Sequence, residues 1–179
     1  MRIPIDKLDE GAELARRNAW QFLEDAEHLL RQKSYGHAAA LAMYAFEEYA
    51  KMAIFRAMKR DPTLRDKSSE DMANRQHVTK FKVAMTGLLA VRGVKLTDEL
   101  QKRIEDRSNN LQSFKERGLY VEYSNKWLTP QSDDMRNAAQ NRISETRKLM
   151  EELEKVGYNG RKRERRPNFD FPKIRRLMT

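Results

Sequence analysis

The sequence has no cysteine, which excludes disulfides, thiol nucleophiles and cysteine-ligated zinc. Seven glycines and five prolines in 179 residues are too few for a chain of many short strands. No apolar run approaches the roughly 18 residues of a membrane span. The opening Met1-Arg2-Ile3-Pro4-Ile5-Asp6 has no apolar signal core, so a soluble, cytoplasmic protein without membrane contact is expected. The only histidines are His28, His37 and His77, with no HxxxH or HExxH pair. No metal site and no cofactor are expected. A Gly-x-Ser-x-Gly elbow and a Gly-rich phosphate loop are also missing.

The 39% of hydrophobic residues suffices for a packed core. The net charge is +9, unevenly spread. Residues 157–179 carry eight basic and two acidic side chains, a surplus of +6, which leaves +3 for residues 1–156. The chain therefore divides into a bundle, 1–156, and a basic tail, 157–179. Arg161, Lys162, Arg163, Arg165 and Arg166 put five charges into six residues. Such a run makes non-specific phosphate contacts with nucleic acid, or is a solvated tail with no ligand.

Helical periodicity dominates the first 156 residues. Leu8, Ala12, Ala15, Ala19, Phe22, Ala26 and Leu29 alternate spacings of four and three, which predicts a helix over about Lys7 to Lys33, broken at Ser34-Tyr35-Gly36. A second helix spans about Tyr35 to Lys59, with Ala38, Leu41, Ala42, Ala45, Tyr49, Met52 and Ala53 inward and Asp61-Pro62 closing it. A third runs from near Asn74 to near Ala90 on Val78, Phe81, Met85 and Leu88. A fourth begins at the N-cap Thr97 and ends at Gly118, read as the left-handed residue past its C-cap. Residues 119–130 form an extended connector without a partner strand. A fifth helix starts at Ser132 on the row Met135, Ala139, Arg142, Thr146, Leu149, Leu153 and Val156. The fold class is all-α, an antiparallel bundle of four to five helices.

Candidate chemistry lies where charge interrupts these rows. In the fourth helix the apolar row Leu100, Ile104, Leu111, Phe114 has Arg107 at its centre, and Arg103, Asn110 and Arg117 lie about 40–80° to one side. A buried guanidinium needs a partner. Arg107 either pairs internally, for example with Glu48, or faces an anion-binding cleft. On the second helix the wheel sets Glu48 at the core's edge, directs Glu47 to solvent, and puts Lys51 one turn from both. Helix-surface ion pairing or an internal role for Glu48 are the two readings. His77 with Lys80 caps the third helix or adds surface charge. Tyr120, Tyr123 and Trp127 either pack over the bundle end or stack on bases.

Taken in order, these landmarks resemble a known family. Ala45-Phe46-Glu47-Glu48-Tyr49-Ala50-Lys51 is similar to the EE-x-x-K signature of AbiV-type abortive-infection proteins. His77-Val78-Thr79-Lys80 resembles their H-x-x-K element, and Arg117-Gly118-Leu119-Tyr120-Val121-Glu122-Tyr123, then Trp127 and Pro130, their LYV(D/E) segment. The similarity covers about residues 10–156. It implies a HEPN-type bundle acting as an antiphage effector that inhibits translation or targets RNA. It leaves open a HEPN ribonuclease activity and its catalytic residues, with Arg107, Glu48, Lys51, His77 and Tyr120 as the candidates. Arg103, Arg107, Asn110, Arg117 and the tail cations are the RNA- or anion-binding candidates. The implied partners are a second copy of the chain, RNA or the translation machinery, and a phage-encoded protein trigger. The alternative is a non-catalytic protein-interaction or antitoxin-like regulatory module. HEPN ribonucleases use Arg, four to six residues, then His. No His follows Arg107 or Arg117, and the one literal match is Arg31 to His37, at the first helix turn.

Overall fold

The computed structural model describes residues 3–61, 80–82, 84–86, 89, 94–124 and 126–155. A single 3-10 turn, Ile5–Lys7, leads into α1 (Leu8–Arg31). Then come α2 (Tyr35–Arg60), α3 (Asp98–Leu119), the short strands β1 (Glu122–Ser124) and β2 (Lys126–Leu128), and α4 (Asp133–Leu153). Residues 80–82, 84–86 and 89 are helical, as the 74–90 periodicity predicts. Both ends of that expected helix, with Val78 and Leu88, lie outside the described residues.

α1 stops because Lys33 turns left-handed at φ 60°, one residue before the expected break. The amides of Gln32, Lys33 and Ser34 donate to the carbonyls of His28, Leu30 and Leu29. So short a link makes α1 and α2 antiparallel neighbours. The α1 row is buried at Leu8, Ala12, Ala15, Ala19 and Ala26. Leu23 takes the deep position expected of Phe22, which packs partly exposed against the same core.

α2 packs against α1, α3 and α4. Sixteen of its 26 residues are buried, spread around the whole helix, so it is the central helix of the bundle. Its alanines let neighbouring backbones come close. α3 begins as expected, with the Thr97 side chain accepting from the Leu100 amide at 3.2 Å.

Gly118 is not past the end of α3. The helix runs on to Leu119, and Gly118 is buried within it. Its role is close approach: a Cβ there would stand 2.7 Å from the Gly36 carbonyl oxygen. A Cβ on Gly36 would stand 2.5 Å from the Gly118 oxygen and 2.6 Å from Pro130 Cβ. The Gly36 amide donates to the Pro130 carbonyl at 2.6 Å, fixing the start of α2 to the turn before α4.

The connector also differs from expectation. β1 and β2 pair antiparallel, with Tyr123 opposite Trp127. Each strand is three residues long, shorter than any window in which strand alternation can be read.

Candidate functional site

Because α2 runs through the centre, its carboxylates cannot all reach water. Glu47 is 2% exposed. Its Oε1 accepts from Lys115 Nζ of α3 at 2.8 Å, with both side chains below 5% exposed. The Lys115 ammonium also lies 4.6 Å from the centroid of the Tyr44 ring, whose π face attracts it. Lys80 is buried beside this pair. Burial pulls its ammonium below the usual lysine range, Glu47 and Glu48 oppose that, and Lys51 and Lys115 add to it. Glu48 and Lys51 form an ion pair, both partly exposed.

This arrangement corrects the helical wheel. Glu47, directed to solvent by a one-faced helix, is the interior carboxylate, and Glu48 the outer one. A central helix has no solvent face to receive Glu47. The two motif carboxylates and Lys51 thus join Lys80 of the second motif and Lys115, which no motif or apolar row had marked. Lys115 belongs to the four-three row Ile104, Ser108, Leu111, Lys115, Gly118, all buried. The sequence displays that row too, but the parallel row through Arg107 and Phe114 holds more large apolar side chains and so competes with it. His77 lies outside the described residues.

The same change of register moves Arg107 out of the core. Ser108 is the buried residue, its hydroxyl donating to the Ile104 carbonyl at 2.6 Å. The Arg107 side chain is 51% exposed, and its ion pair is with Glu145 of α4 rather than Glu48. Nη2 of Arg107 reaches Glu145 Oε2 at 3.4 Å, and Nη1 of Arg142 reaches the same oxygen at 3.0 Å. Arg103, Asn110 and Arg117 are also exposed. With Phe114 they form an outer row of α3, 103-107-110-114-117, again at four-three spacing. The Phe114 ring has two guanidinium neighbours, Arg142 at 5.6 Å and Arg117 at 5.9 Å. Tyr120 and Val121 follow, 66% and 61% exposed.

A cavity of about 240 Å³ opens between α2, α3, α4 and the 80–89 segment. Met43, Phe46, Phe81, Met85, Leu111 and Leu149 supply its apolar lining. Arg107, Arg142, Glu145 and Lys148 line it as well. Burial draws the Arg142 guanidinium below its usual range; Glu145 opposes this and Arg107 reinforces it. Arg142 interrupts the apolar row of α4 as Arg107 interrupts that of the preceding helix, a signal the sequence shows equally plainly. Of the catalytic candidates, Arg107 alone lines this cavity among the described residues.

The literal Arg-to-His match has another use. Arg31 closes α1, exposed, and His37 Nδ1 lies 2.8 Å from the Ser34 hydroxyl at the start of α2. Among the described residues no three His, Asp or Glu side chains are grouped for a metal ion, and no helix is long and apolar enough to cross a membrane. Arg161, Lys162, Arg163, Arg165 and Arg166 lie outside the described residues.

An alanine-rich central helix, a carboxylate–lysine cluster inside the bundle and a frame of helices with one three-residue strand pair define a helical-bundle protein. The AbiV family model matches residues 7–151, and the chain belongs to that family, HEPN_AbiV. Membership points to an abortive-infection, antiphage role. Searches of curated proteins and of solved structures gave no match.

Proposed function

We propose that this bundle acts in phage defence by engaging RNA along the outer face of α3, and so inhibits translation in the infected cell. The observation that carries the reading is the exposed row Arg103, Arg107, Asn110 and Arg117, with the half-buried Phe114 and Arg142 beside it. From residue 103 to 117 the row is about 21 Å long at the α-helical rise. Guanidinium groups at this spacing suit successive phosphates. The bundle binds RNA without cutting it in this reading, because the Arg–His pair of HEPN ribonucleases has no counterpart on α3.

The test is fluorescence anisotropy of a labelled single-stranded RNA across a salt series. The exposed arginines can be replaced without disturbing the core. Arg103→Ala, Arg107→Ala and Arg117→Ala should each lower the slope of log affinity against log salt by about 0.7, one phosphate partner apiece. The triple variant should also lose plaque protection. Unchanged affinity and slope would overturn the reading. RNA integrity on a gel in the same incubations checks the absence of cleavage.

A second reading, a non-catalytic protein-interaction or antitoxin-like module, is favoured by the adjacent exposed Tyr120 and Val121. Under it, Tyr120→Ser abolishes protection while RNA affinity is untouched.

A further inference from the structure

The cavity between α2, α3 and α4 combines two properties that one small ligand must match. Its wall is apolar, with Phe46 and Phe81 stacked at 5.1 Å and 25°. Met43 and Met85 add unbranched side chains that adapt to a planar guest. Apart from Thr146, its remaining lining is charged, three cations against the single carboxylate of Glu145. A bare anion would leave the apolar wall empty, and a hydrocarbon would leave the cations unanswered. The volume, about 240 Å³, exceeds the roughly 150 Å³ of a cavity that holds benzene. A heteroaromatic ring system with an attached anion fits both halves. Polar edges of such a ring would find the Glu145 carboxylate and the Thr146 hydroxyl, which donates to the Ala42 carbonyl and keeps its lone pairs for a guest.

We infer that the cavity receives the base of one unpaired RNA nucleotide, with that nucleotide's phosphate on Arg107 and Arg142. The inference rests on the RNA reading above and gives it a substrate class, single-stranded RNA with a base free to turn inward. Arg107 belongs to both features, the outer row of α3 and the cavity lining. Glu145 is the ligand's stand-in, occupying both guanidinium groups until a phosphate arrives. Insertion of a base between apolar and aromatic walls is sequence-tolerant, because every base has a π face.

The experiment titrates the full chain with a labelled single-stranded oligoadenylate and with an abasic ribose-phosphate oligomer of equal length. The two carry the same charge, so the salt slopes should match. The intact oligomer should bind roughly tenfold more tightly, the contribution of one stacked base. Equal affinities overturn base insertion while leaving the RNA reading intact. Absence of binding to either overturns both. Met85→Trp, which fills the cavity from a partly exposed wall position, should lower the intact oligomer's affinity to the abasic level at unchanged slope. A folded Met85→Trp variant, checked by circular dichroism, that binds both oligomers like the parent would overturn the inference. If the variant does not fold, the comparison of intact and abasic oligomers on the parent chain decides the matter. Adenosine monophosphate and ribose 5-phosphate serve as competitors. Displacement by the first but not the second makes the free nucleotide a ligand too, and equal displacement by both overturns the base's part.

Discussion

Glu47 and Lys115 are each other's counter-charge in a region with little water. Two ions taken out of water cost several kcal/mol each, and their attraction returns this only while both are present. Lys115→Met removes the ammonium that hydrogen-bonds the buried Glu47 carboxylate and is expected to destabilise the protein by about 3–5 kcal/mol in urea denaturation. Replacing both, Glu47→Leu with Lys115→Met, should recover most of that loss, because a matched apolar pair has no charge to desolvate. Lys80 gives a pH signature. Its folded-state value lies below the unfolded one, chiefly through burial. The unfolded chain then binds more protons in the alkaline window just under the ordinary lysine value. Stability therefore rises with pH through that window, and is lost as pH falls back through the folded-state value. Urea melts at about pH 8 and about pH 10 should show the rise, and Lys80→Met should flatten it.

The contact of α2 with α3 near Gly36 and Gly118 depends on two missing side chains. Within a helix, Gly→Ala ordinarily gains up to about 1 kcal/mol from propensity. Here the added Cβ meets a backbone oxygen at 2.5 Å for Gly36 and 2.7 Å for Gly118, and backbone cannot move aside cheaply. Each alanine variant should instead lose about 1–3 kcal/mol, or about 2–4 °C of melting temperature per kcal/mol, read by thermal circular dichroism. The elements themselves are legible in the sequence. The α1 row, the proline-closed α2, the Thr97 cap and the start of α4 lie within a residue or two of expectation. Gly118 is not legible in the same way, because a glycine near a helix end serves a left-handed cap as readily as a close approach. Only the position of Gly36 on another helix distinguishes them.

At the scale of the whole molecule, the bundle leaves Arg103, Arg107, Asn110 and Arg117 of α3 and the Tyr120–Val121 pair on the surface. HEPN domains often form dimers, and a two-fold dimer using this end of α3 would set two arginine rows side by side. Light scattering at micromolar concentration should return twice the 21.1 kDa chain mass, and a value near 21.1 kDa would remove the dimer. Both candidate regions use residues from three or four elements. The interior cluster joins α2, the 80–89 segment and α3, while the cavity adds α4. Local pattern could nominate Glu48, Lys51 and Arg107, but not Lys115, Glu145 or Lys148, whose meaning comes from what stands opposite them.

The sequence alone determined the all-α class, the order and most ends of the helices, and the family. Each of these depends on spacing along one chain: four-three apolar rows, a capping threonine, a proline stop, three motifs in order. Only the tertiary structure decided which charges go inside. A helical wheel fixes the angles between side chains but not the direction of the neighbouring helices. With neighbours on three sides, α2 buries Glu47 where a one-faced helix would expose it. On α3, moving the inward row by a few tens of degrees exchanges Arg107 for Ser108 and Phe114 for Lys115. Lys115 is tolerated inside because Glu47 is there to meet it, and Arg107 is left outside, facing Glu145 and the cavity.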